Sequence, residues 1–71
     1  MTDNNRCVWL MESVGEVAWL LIERDAESGG WFLFGFANLG QPCLFDSWHE
    51  TREAACLQAA ADWGVPSSEW N

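Results

Sequence analysis

The chain has no lysine and only three arginines, Arg6, Arg24 and Arg52, against eleven carboxylates. Its formal net charge is −8 over 71 residues. Such a surface repels nucleic acid phosphates and anionic lipid headgroups. It also lacks the cations that would release counterions from a phosphate backbone, so neither nucleic acid nor membrane is expected as a partner. The longest apolar run, Val17 to Ile22, falls far short of the roughly 20 residues that a membrane-spanning helix needs. The polar start, Met1 to Arg6, has no basic stretch leading into an apolar one, as a secretory leader would.

Three cysteines, Cys7, Cys43 and Cys56, are an odd number and make no disulfide framework. With that usage and no leader, a reducing cytoplasm is the expected location. Zinc ligands usually come in pairs about two to four residues apart. No two of Cys7, Cys43, His49 and Cys56 are that close. Cys43 and His49 can be drawn as a thiol and its base, but no orienting third residue or oxyanion hole accompanies them. His49 is instead expected at the start of a helix, its ring bonded to a nearby carbonyl or carboxylate. There is no phosphate-cradling loop, because Gly29-Gly30 leads into an aromatic strand rather than a helix. No catalytic residue, cofactor or metal is predicted.

What is present is aromatic. Six tryptophans and four phenylalanines contribute to a hydrophobic content of 49%. A domain this small buries only about 60% of the surface its unfolded chain exposes, so large apolar side chains matter more than usual. Each buried tryptophan removes roughly 150–250 Å² from water. Trp9, Trp48, Trp63 and Trp70 are expected in the core.

Residues 1–6 read as a disordered start and 7–71 as one compact domain. Cys7 to Met11 has strand character, Ser13 to Glu16 can turn, and Val17 to Glu23 is the clearest strand. The Gly-Gly pair signals a hairpin into the strand Trp31 to Phe36. Asn38 to Pro42 breaks that strand, and Cys43 to Phe45 reads as a short last one. Thr51 is a good helix cap, and the alanine-rich run to Trp63 a good helix. Gly64 and Pro66 stop it. Ala55, Cys56, Ala59 and Trp63 form its apolar stripe, mostly of small residues that allow a close approach to a sheet. Ser67 to Trp70 reads as one further turn. Strands first and helix last predict an α+β fold: a three- or four-stranded antiparallel sheet with one C-terminal helix on one face.

A three-residue hairpin loop, Ser28-Gly29-Gly30, would set Ile22 opposite Phe36 and Glu27 opposite Trp31. One face then gathers Ala18, Leu20, Ile22, Phe32, Phe34 and Phe36 under the helix. The other carries Trp19, Leu21, Trp31 and Leu33, with Glu23, Asp25 and Glu27 near the loop. One helix cannot cover both, so the second face is expected to be a binding surface or to be hidden by a second copy.

The run Phe45-Asp46-Ser47-Trp48-His49-Glu50-Thr51-Arg52-Glu53-Ala54, with Trp63-Gly64-Val65-Pro66 and the late Trp70, resembles a pattern in small, acidic, uncharacterised bacterial proteins. There a Trp-His-acidic-Ser/Thr lead-in precedes an alanine- and glutamate-rich helix, and a Gly-Val/Ile-Pro exit and a terminal tryptophan follow. The resemblance covers about a third of the chain. It implies a bacterial or phage cytosolic protein with strands before a helix, and it brings no activity. Here the helix is poorer in glutamate than the pattern.

The functional expectation is a non-catalytic, acidic protein-interaction module, inhibitor-like or immunity-like, that binds a basic protein surface. Trp19, Glu23, Asp25, Glu27, Trp31 and Leu33 are its expected contact residues. The alternative is a structural homodimer with no further ligand.

Overall fold

A computed structural model describes residues 6–70. Within them the chain forms β1 (Arg6–Val14), β2 (Val17–Arg24), β3 (Trp31–Phe36), β4 (Phe45–His49), α1 (Arg52–Trp63) and a short 3-10 turn, η1 (Ser67–Trp70). The four strands make one antiparallel sheet in the order β1-β2-β3-β4. The fold is α+β, with the helix on one face. The disordered start expected for residues 1–6 lies outside the described residues, except that Arg6 already opens β1.

Each connection follows from local chemistry. Gly15, at φ 64°, supplies the left-handed residue in the tight β1–β2 turn. Thr51 caps α1, its hydroxyl accepting from the Ala54 N–H at 3.0 Å. Gly64, at φ 71°, closes the helix, its N–H donating to the Ala60 carbonyl at 3.0 Å. Ala55, Cys56 and Ala59 face the sheet and are buried, as their spacing predicts.

The β2–β3 hairpin corrects the register. Ile22 pairs with Leu33, Leu20 with Gly35 and Arg24 with Trp31. The loop therefore spans Asp25 to Gly30, not Ser28 to Gly30. Asp25 is the reason. One of its carboxylate oxygens accepts from the Glu27 N–H at 3.1 Å and the other from the Ser28 hydroxyl at 2.7 Å. The Gly29 N–H donates to the Asp25 carbonyl at 2.8 Å, and the Asp25 N–H to the Gly30 carbonyl at 2.9 Å. This self-bonded turn draws Asp25, Ala26 and Glu27 out of the strand. An odd shift in register exchanges the two faces of β3.

The core is accordingly Val8, Leu10, Leu20, Ile22 and Leu33 from the sheet, with Ala55, Cys56, Ala59, Val65 and Trp70 over it. Trp31, Phe45 and Trp63 pack at its margin. Phe32, Phe34 and Phe36 do not face the helix, although the three-residue loop put them there. Phe45 opens β4 rather than ending the last strand, and Trp48-His49 closes that strand rather than leading a helix. The Phe45 ring stacks on Trp63 at 5.0 Å. Gly35 makes room for it, since a Cβ there would lie 2.7 Å from the Phe45 ring.

Trp70 is 1% exposed, a burial that contributes at most about 4–6 kcal/mol. An Arg52 guanidinium nitrogen donates to the Trp70 carbonyl and ties η1 to the start of α1. No helix among the described residues is long and apolar enough to cross a membrane.

Candidate interaction face

The alternation of the strands builds the face opposite α1. Trp9 pairs with Trp19, Trp19 with Phe36, Leu21 with Phe34, Glu23 with Phe32, and Phe32 with Trp48. Paired residues share a side of the sheet. Seven large apolar side chains thus lie together on the uncovered side: Trp9, Trp19, Leu21, Phe32, Phe34, Phe36 and Trp48. They shield one another only in part. Trp9 and Trp19 have ring centroids 6.2 Å apart, Phe32 and Phe34 5.4 Å, and Phe34 and Phe36 6.3 Å. Trp9 remains 60% exposed and Trp48 46%, so the expectation that both are core residues fails. They sit on the side that the helix leaves bare.

Charge is divided between the two sides. Glu23 and Asp46 share the aromatic side by register with Phe32 and Phe34. Arg6 and Arg24 pair with Ile22 and Trp31 and so belong to the helix side, and Arg52 is on α1. Among the described strand residues, the aromatic side carries carboxylates and no cation.

The acidic hairpin loop joins this face through Trp48. Its indole N–H donates to the Ser28 hydroxyl at 3.1 Å, the same hydroxyl that donates to Asp25. The indole lies over Gly30, where any Cβ would collide with it. The hydrogen bond from Ser28, then that from the Glu27 N–H, holds the Asp25 carboxyl below its ordinary range.

Of the expected contact residues, Trp19 and Glu23 lie on the aromatic side, and Asp25 and Glu27 lie in the loop at its end. Trp31 and Leu33 do not. Leu33 is fully buried against the helix and Trp31 packs at the core margin, because the longer loop turned β3 over. Trp9, Phe32, Phe34, Phe36 and Trp48 take their place. The usable signal was Asp25-x-x-Ser28-Gly29, a carboxylate and a hydroxyl spaced to bond each other across a turn.

The other reactive groups are scattered. Cys43 lies in the exposed β3–β4 loop, and Cys56 is buried under α1. Burial pushes the Cys56 thiol up, against an opposing pull from Arg52. Burial also raises the Cys7 thiol, although the residue as a whole is exposed. His49 bonds the Ser47 side chain, with Nε2 and Oγ 2.9 Å apart, and not the carbonyl or carboxylate expected of it. Among the described residues, no three of His, Cys, Asp and Glu group as metal ligands would.

A separate groove of about 750 Å³ runs along β1, between Val8–Val14 and the α1–η1 corner at Trp63, Gly64, Val65, Pro66 and Glu69. Comparison with protein-family models, with curated proteins and with solved structures gives no match to this chain.

Proposed function

We propose that this chain is a non-catalytic interaction module whose aromatic sheet face binds a basic protein surface. The observation that carries the reading is the pairing of a seven-residue apolar patch with carboxylates alone on the same side of the sheet. A contiguous apolar patch that leaves Trp9 and Trp48 exposed and its other members half-buried suits an interaction site. Leu21 and Phe34 lie at its centre and Trp9, Trp19 and Trp48 towards its margins; the tryptophans suit anchoring, and the carboxylates beside them suit arginine at the rim. The charge steers encounter and so makes association slower as salt rises.

A structural homodimer through the same face is the second reading, favoured by the size of the apolar patch. The charge pattern opposes it. An isologous pair would set Glu23 and Asp46 of both copies around one apolar seam, like charge beside like charge.

The test compares the chain with a Trp19→Ser, Phe34→Ser variant as bait for proteins of the cell that makes it. The reading expects a basic protein that the parent retains, the variant loses and rising salt releases. Equal capture by both baits, or sedimentation showing a stable dimer that the variant dissolves, contradicts it.

A further inference from the structure

We infer that the outer edge of β1 along Val8–Val14, with the groove beside it, is a strand-addition site for an extended basic segment of the partner. The inference rests on the partner class proposed above and adds its conformation and its line of docking.

Among the described residues β1 is the longest strand, nine residues, and the sheet order gives it a neighbour on one side only. An edge strand offers a row of backbone donors and acceptors to an incoming chain. Its pairing with β2 slips between Trp9 and Val14, and the groove follows that stretch. The opposite edge is β4, only five residues long. The groove gives an added strand somewhere to put alternate side chains. One set meets Val8, Leu10 and Val65, which are buried core residues that reach the groove wall. The other set extends the aromatic face beside Trp9, 60% exposed, and Met11, 87% exposed.

Charge chooses the occupant. Glu12 and Glu69 line the groove, and among the described residues no lysine, arginine or histidine does. A carboxylate on a sheet edge ordinarily discourages strand pairing. Here Glu12 admits a segment that brings its own cation and turns away a second acidic copy of this chain. Arginine leaving the strand on the aromatic side also meets the Trp9 ring, a favourable cation–π partner.

The experiment titrates the full-length chain with a decapeptide of alternating valine and arginine, followed by backbone amide NMR and hydrogen exchange. Shifts and slowed exchange are expected along Val8–Val14, with shifts at Gly64 and Val65. A peptide of the same composition in two blocks, and one N-methylated at every residue so that neither edge keeps its row of N–H donors, should each bind about tenfold more weakly, since the first cannot alternate and the second cannot donate to β1. Glu12→Arg with Glu69→Arg, both exposed positions, should weaken binding about tenfold. Glu50→Arg with Glu53→Arg, also exposed, should stay within about twofold. Equal binding by the N-methylated peptide overturns the inference, as does no binding. So does protection of the β1 amides by self-association before peptide is added. Shifts confined to Trp19, Phe34 and Trp48 also overturn it, while leaving the sheet-face reading in place. That reading fails separately, by its own bait comparison.

Discussion

Ile22 lies directly opposite Leu33 across β2 and β3, and both side chains are completely buried beneath α1. That single pairing fixes which residues of β3 support the fold and which are left to meet a partner. Leu33→Ala should open a cavity under the helix and cost about 2–5 kcal/mol. Phe34→Ala, one residue along on the other side, should cost about 1 kcal/mol or less, the scale of a cross-strand contact on an open face. Chemical denaturation of both variants checks the order.

Gly35 is the close-approach point of the sheet. An alanine there sets its Cβ 2.7 Å from the Phe45 ring and 3.3 Å from a Val17 methyl. Gly35→Ala should push Phe45 off its stack with Trp63 and cost about 1–3 kcal/mol. A weakened near-ultraviolet circular dichroism signal should accompany the fall in melting temperature.

Asp25 gives the hairpin a pH dependence. Its carboxyl is held low by Ser28 and Glu27, so the folded loop favours the ionised form. The stability this contributes is present above the unfolded carboxylate value, about 3.9. It is lost as pH falls through the lower folded value. Asp25→Ala should lower the melting temperature at pH 7. The gap from the parent should close below about pH 4. The Trp48 indole N–H signal should report the same change, because Trp48 bonds the Ser28 hydroxyl that Asp25 orients.

The three thiols should separate by rate. Cys43 is exposed, and Cys7 is exposed with a raised thiol. Cys56 is buried under α1. A disulfide reagent near neutral pH should label Cys43 first, Cys7 next, and Cys56 only as the helix opens. Three equal rates would contradict the packing of α1.

The helix was legible in the sequence because its signals are local. Thr51 and Gly64 mark its ends, and the small residues Ala55, Cys56 and Ala59 mark its buried stripe. The first three strands were legible for the same reason, from turn residues between apolar runs, whereas the last was expected at Cys43 to Phe45 and runs instead from Phe45 to His49. The face of β3 was not. It depends on whether the loop begins at Asp25 or at Ser28, and that is decided by hydrogen bonds inside the turn rather than by hydrophobic pattern. Every residue of β3 but Gly35 is a large hydrophobe, so alternation could not identify its buried side. Trp19 and Glu23 were placed correctly because Leu20 and Ile22 were assigned to the helix side of β2, and that assignment does not depend on the hairpin register. Trp31 and Leu33 went to the wrong side with the rest of β3. Trp9 and Trp48 look like core residues by composition, and only the position of the helix shows otherwise.

The aromatic face, and not the helix side, is the surface proposed to receive a basic partner. The six indole N–H signals report on it directly, in a titration of the labelled chain with the basic protein its bait captures. Trp19 and Trp48 stand on the face, and Trp31 and Trp70 stand behind it. Shifts are expected at Trp19 and Trp48 that shrink as salt rises, with Trp31 and Trp70 unmoved. Shifts at Trp31 and Trp70 with Trp19 and Trp48 unmoved would contradict the proposal.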